Sequence, residues 1–155
     1  EALCEEGQEE NGMLSLILNS LHGLERLPCP PALVKTAFEW RAMALAGYEP
    51  MADACAVCGR TDPEEPRLNL SEGVLHCAAC RDGVGDGISM PLTPAALAAL
   101  RHFLWGEPKR LFSVRLDEVS LARLGEASEA YLMTRLERGF RTLDFWKSLQ
   151  PSAGR

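Results

Sequence analysis

A chain of 155 residues with 46% hydrophobic and 25% charged residues can bury one core of its own, which sets disorder aside. The most apolar stretch, residues 13–27, is broken by Ser15, Asn19, Ser20, His22, Glu25 and Arg26, so no segment reads as a membrane span. The net charge of −6 argues against a surface that grips nucleic acid everywhere, yet it is uneven: residues 1–100 hold six Lys or Arg against fifteen Asp or Glu, and residues 101–155 hold ten against seven.

The opening Glu-Ala-Leu-Cys-Glu-Glu has neither a basic n-region nor an initiator Met, so it reads as a fragment of something longer and not as a signal peptide. Residues 1–12, acidic and containing glycine, read as a linker or frayed start, and residues 13–155 as one helical domain. From Met13 onward, Leu14, Ile17, Leu18, Leu21 and Leu24 recur at the spacing of one helix face. Leu27-Pro28-Cys29-Pro30-Pro31 ends that helix, and proline at a first turn opens another over residues 32–46, with Gly47 as its stop. Leu33, Ala37, Phe38, Arg41 and Leu45 are expected along one side of it.

Between residues 48 and 88 the helical period disappears and Gly, Pro and Asp become frequent, which marks an insertion. Residues 67–70 and 74–77 flank Ser71-Glu72-Gly73 and predict a short β-hairpin. Thr93-Pro94 predicts an N-cap and first-turn proline for a helix over 94–104, ended by Gly106 and Pro108. The final helix is expected from Asp117 or Ser120 to about Leu149. At roughly 100° per residue, Leu132, Leu136, Phe140 and Leu143 fall in one sector of roughly 80°, with Arg135, Arg138 and Arg141 outside it. Phe140, Tyr131 and Trp146 are expected in the core.

Four of the six cysteines form two Cys-x-x-Cys units, Cys55/Cys58 and Cys77/Cys80, with eighteen residues between Cys58 and Cys77. Each unit puts two thiolates on a tight turn, and two units supply the four ligands of a tetrahedral zinc ion in a reducing compartment. The chain therefore reads as cytoplasmic, with one structural zinc held by Cys55, Cys58, Cys77 and Cys80. Four sulfurs leave no open position for catalysis. His76 is expected as an exposed polar residue on the hairpin, and Cys4 and Cys29 as small, partly buried residues. The ribbon has few large apolar residues and is expected to need its metal to fold, while the bundle has apolar faces of its own.

None of His22, His76 or His102 begins a His-x-Glu, and no Gly-Lys pair or Gly-x-Ser-x-Gly elbow occurs. Nothing in the sequence argues for an enzyme or a small-molecule substrate. Arg101, His102, Lys109, Arg110 and Arg115 lie near one another, and Arg135, Arg138, Arg141 and Lys147 follow along the final helix, among Trp105, Phe112, Tyr131, Phe145 and Trp146. Arginine beside aromatic rings suits phosphates and stacked bases. The same arginines read equally well as a solvated helix face. A zinc-stabilised protein-interaction domain of the transcription or translation machinery, without DNA binding, is the competing reading.

The run Leu45-Ala-Gly-Tyr-Glu-Pro-Met-Ala-Asp-Ala-Cys55-Ala-Val-Cys58-Gly59, a second Cys-x-x-Cys and then Pro91-Leu92-Thr93 resemble the RecO recombination-mediator family of bacteria. Tyr131-Leu132 and Leu136-Glu-Arg-Gly139-Phe140-Arg141-Thr142-Leu143-Asp144-Phe145 are similar to that family's last helix, with Arg141-Thr142 where Lys-Ser is usual. The likeness spans residues 13–149. It implies a mainly α fold, a helical bundle with a Cys4 zinc ribbon inserted at 48–88, which in the family follows an N-terminal OB-fold not seen in this sequence. It further implies binding of single-stranded and double-stranded DNA, strand annealing, contact with RecR and with the acidic C-terminal tail of single-stranded DNA-binding protein, and help in loading a recombinase. Arg101, Lys109, Arg110, Arg135, Arg138 and Arg141 are the residues expected to meet DNA or partner.

Overall fold

The computed structural model describes residues 2–149, with side chains described from residue 11 onward except those of Phe140, residues 142–144, Trp146 and Lys147. The first helix, α1, runs Ala2–Arg26, so residues 2–12 continue the helix where a linker or frayed start was expected. No proline interrupts this stretch, and Pro28 closes it. The second helix, α2, spans Pro31–Leu45 with Pro31 in its first turn. It ends in a Schellman motif: Gly47 takes φ +91°, the Tyr48 N–H returns to the Met43 carbonyl at 2.8 Å and the Gly47 N–H to Ala44 at 3.1 Å.

Three antiparallel strands follow, β1 (Pro66–Asn69), β2 (Val74–Cys77) and β3 (Ser89–Pro91), in the order β2-β1-β3. Leu68 faces Leu75 in one pair and Met90 in the other. The hairpin was expected, but β3 was not, because three residues next to a glycine-rich loop carry no measurable alternation. The sheet thus extends past the expected insertion boundary at residue 88. Gly73 in the hairpin turn has φ +68°, and a Cβ there would lie 2.6 Å from an Arg135 nitrogen, so only glycine suits both the backbone and the neighbour.

The third helix, α3 (Pro94–Trp105), begins at Thr93, whose Oγ1 accepts the Ala96 N–H at 3.0 Å. The fourth, α4 (Glu118–Leu149), begins where the Asp117 carboxylate accepts the Ser120 N–H at 3.0 Å. Helix α2 is the hub, packing against α1, α3 and α4. At its centre Trp40 is fully buried against Tyr131, with ring centroids 5.4 Å apart, and its indole N–H reaches the Leu124 carbonyl at 3.4 Å.

Three expectations about faces change. On α1, Leu16, Ser20 and Gly23 turn inward and the expected stripe turns to solvent, with Leu14, Ile17, Leu18, Leu21 and Leu24 exposed by 40–58%. The reason is close packing: a Cβ on Gly23 would sit 3.2 Å from Phe112 and 3.6 Å from Val34, so the small residues admit the neighbouring elements and the leucines are left outside. On α4 the buried row is Ser120, Leu124, Ala127, Ser128 and Tyr131, while Leu136 is exposed. Tyr131 is core as expected; the side chains of Phe140, Leu143 and Trp146 lie outside those described. The ribbon is also less separate than expected, since Ala52, Leu68, Leu70 and Leu92 belong to one core with Trp40, Phe103 and Tyr131.

Candidate metal centre and basic surface

Cys55 and Cys58 sit on a knuckle closed by the Gly59 N–H donating to the Cys55 carbonyl at 2.9 Å, with Gly59 at φ +77°. Cys77 ends β2, and Cys80 lies on the 3-10 turn Ala78–Gly83. The segment before the first knuckle runs along β2, with Met51 bridging to Val74 and the Ala56 N–H donating to Leu75 at 2.9 Å, which brings the two pairs together. All four sulfurs lie within 4.8 Å of one another. Cys58 Sγ and Cys77 Sγ are 3.6 Å apart, far beyond a disulfide bond and near the edge, about 3.8 Å, of a tetrahedron with sulfurs about 2.3 Å from a central ion. The four cysteines could therefore hold one metal ion, as expected.

The thiols differ sharply. Burial raises the Cys55 pKa, but the backbone N–H groups of Cys58, Cys77 and Val57 outweigh it and bring the value down to about 6. The Cys77 N–H contact to Cys55 Sγ, at 3.4 Å, is one of these. Cys77 is pushed up to about 12 by burial and then by its hydrogen bonds with Cys58 and Cys55, and Cys80 is raised for the same reasons. A site poised this way accumulates only part of its negative charge without an ion, and a cation would draw out the remaining protons.

His76 is buried, contrary to expectation, and lies outside the cysteine cluster. Its Nδ1 pairs with the Cys77 carbonyl and its Nε2 with Ser89 Oγ, each at 2.8 Å, so it ties β2 to β3. That role was invisible without β3.

The basic residues divide. Arg101, expected to meet DNA or partner, braces the ribbon: its Nε donates to the Ala52 carbonyl at 2.8 Å, Nη1 to Asp62 at 3.1 Å, and Nη2 to the Asp53 and Thr61 carbonyls. Arg135, expected outside the packed face, lies over the Tyr131 ring at 4.6 Å and donates to the Leu70 carbonyl at 3.3 Å, because α4 passes directly beside the hairpin turn. Lys109, Arg110, Arg138 and Arg141 are exposed. Arg110 stands 3.8 Å from Glu107, both largely in solvent. Trp105 and Phe145 are exposed aromatics, and Phe112 is half-buried.

An apolar groove of about 440 Å³ opens between α1, α2 and α4, lined by Met13, Phe38, Met43, Tyr48, Leu132 and Arg135 among others. The sequence contained its parts, but the groove depends on how α1 and α4 flank α2. Among the described residues no helix is long and apolar enough to cross a membrane.

These features define a helical domain with a four-cysteine ribbon, able to hold one metal ion, fused into its core. The chain belongs to the RecO family: a profile described as "Recombination protein O C terminal" matches residues 1–144. It is similar to the DNA repair protein RecO of Acetivibrio thermocellus, 30% identical over 144 residues, covering 93% of this chain and 57% of that protein. It is also similar to the proteins of the same name from Thermoanaerobacter sp., at 26% over 148 residues with 96% and 58% covered, and Symbiobacterium thermophilum, at 29% over 153 residues with 97% and 60% covered. The chain thus spans somewhat under two-thirds of the length of these relatives.

Proposed function

We propose that this chain is a DNA- and protein-binding part of a recombination mediator in DNA repair, with one structural zinc ion in its ribbon. Four sulfurs on two turns suit zinc among biological divalent ions and disfavour magnesium or calcium, which take oxygen ligands. The ion would hold the two knuckles together and supply no catalytic step. The role is binding, in the cytoplasm, and no residue is assigned to catalysis.

The observation that carries the reading is the apolar groove between α1, α2 and α4, with Arg135 of α4 among its lining residues. An acidic tail with a terminal aromatic residue, such as that of single-stranded DNA-binding protein, needs cations for its carboxylates and an apolar pocket for its ring. Arg135 borders the groove, and Arg138 and Arg141 continue along the same helix. Lys109, Arg110 and Arg115, exposed between α3 and α4, are the phosphate contacts for single-stranded or double-stranded DNA, with Trp105 available for stacking. Arg101 takes the structural role given by its bonds to the ribbon. In the full-length protein these surfaces would serve strand annealing, contact with RecR and recombinase loading.

Titration of a labelled tail peptide tests the reading. Binding on the order of micromolar that weakens as salt rises is expected, and Arg138→Glu with Arg141→Glu should reduce it about tenfold. Unchanged binding by that double variant moves the site elsewhere. No binding of either the peptide or single-stranded DNA by the unmutated chain would contradict the mediator reading and favour a protein-only interaction domain.

A further inference from the structure

Given the reading of the four cysteines as a zinc site, we propose that His76 is a positioning residue for it: the ring, fixed by a buried chain of hydrogen bonds through Ser89 and Asn69, holds the Cys77 carbonyl and so aims the second cysteine pair. Strand register brings the three residues together. His76 faces Arg67 across β2 and β1, and Asn69 faces Ser89 across β1 and β3, so with the two-residue period of a strand all lie on one face of the sheet. Leu68 points to the other face, into the core it shares with Trp40 and Phe103. The polar face is closed as well: His76 is 0% and Asn69 1% exposed, and a Cβ on Gly87 would lie 3.5 Å from Asn69 Oδ1.

The bonds have a direction. The Cys77 carbonyl can only accept, so His76 Nδ1 carries the proton in that 2.8 Å contact, and in the uncharged ring Nε2 accepts from the Ser89 hydroxyl, also at 2.8 Å. Ser89 Oγ in turn accepts an Asn69 Nδ2 proton at 3.4 Å, the other Nδ2 proton goes to the Gly85 carbonyl at 3.3 Å, and Asn69 Oδ1 accepts the Glu72 N–H at 2.9 Å. A buried network is costly when part-filled and rigid when complete, and this one is complete, so the imidazole has one orientation. It acts where the site is least held. The Cys55/Cys58 knuckle is closed by the Gly59 N–H, joined to its surroundings through the Cys55 and Ala56 N–H groups, and braced by Arg101. Cys80 instead follows on a 3-10 turn without a side-chain cap. Among the described residues, His76 is the only side chain besides the cysteines that bonds the backbone of residues 77–80. The carbonyl it holds belongs to the peptide unit that leaves β2 toward Cys80.

Two conservative variants divide the contacts, because asparagine places an amide N–H where Nδ1 stands and glutamine places one where Nε2 stands. In the 155-residue chain, competition for zinc against a chromogenic chelator should show His76→Gln binding about tenfold more weakly, with His76→Asn within about threefold of the unmutated chain. Urea unfolding of the metal-free chain should follow the opposite order, since only His76→Asn gives up Ser89. Ser89→Ala keeps the ring but frees it to turn, and should weaken zinc binding about threefold. Equal zinc affinity in the two His76 variants, whether unchanged or lowered together, would overturn the proposal and leave His76 a tie between strands. Should both variants fail to fold, unchanged affinity in Ser89→Ala would overturn it in the same way. No zinc bound by the unmutated chain would instead overturn the zinc reading itself, and the proposal with it.

Discussion

At Cys77 two duties meet, since the residue ends a strand of the sheet and supplies one of four sulfurs. Metal binding must remove protons from Cys77 and Cys80, whose thiols are held up, while Cys55 at about 6 is already largely thiolate at neutral pH. Protonation therefore competes with the ion, and affinity should fall as pH drops, most steeply once even Cys55 takes up its proton below about 6. Chelator competition at pH 8 and at pH 6 checks this, with easier extraction expected at pH 6; equal extraction would contradict it. Arg101 gives a second expectation. Lysine keeps the charge but lacks the fork that reaches Ala52, Asp53, Thr61 and Asp62 together, so Arg101→Lys should speed hydrogen exchange over residues 55–60 and leave the helices unchanged. The cysteine ligands were legible because their spacing is itself the signal. Arg101 was not, because its partners lie some forty to fifty positions away and only the folded ribbon brings them to α3.

Capping decides where α3 begins, and Thr93 does it with a second contact attached: its hydroxyl also meets Ser120 Oγ at 2.5 Å, linking the start of α3 to the start of α4. Thr93→Ala should lower stability by about 1 kcal/mol or somewhat more, measured by urea unfolding, and a neutral result would show that the cap is dispensable. Boundaries of this kind could be read from Thr-Pro, Pro-Pro and Gly signals, which is why α2, α3 and α4 fall close to their expected ends. Which face turns inward could not. On α1 the leucines announce an apolar face, but the glycines and Ser20 permit closer approach and win the interior. On α4 the buried row ends at Tyr131 among the described side chains, and Leu136 and Phe145 further along are exposed.

Across the whole molecule, ribbon and bundle share a core. Leu68 and Leu70 pack in the same cluster as Trp40 and Phe103, so the cysteine knuckles are anchored on a sheet that shares the helices' core. Removing the metal by Cys77→Ser should keep helical circular dichroism at room temperature but lower the temperature of one cooperative unfolding transition. Two separate transitions with the helical one unmoved would show that ribbon and bundle are independent. The sequence alone favours independence, since it counts few large apolar residues in the ribbon and cannot reveal that Leu68 and Leu70 pack into the helical core. The most direct test of the account is the metal itself. Native mass spectrometry with X-ray absorption should find one zinc per chain in a shell of four sulfurs at about 2.3 Å; no bound metal, or three sulfurs with an oxygen or nitrogen in the fourth position, would contradict it.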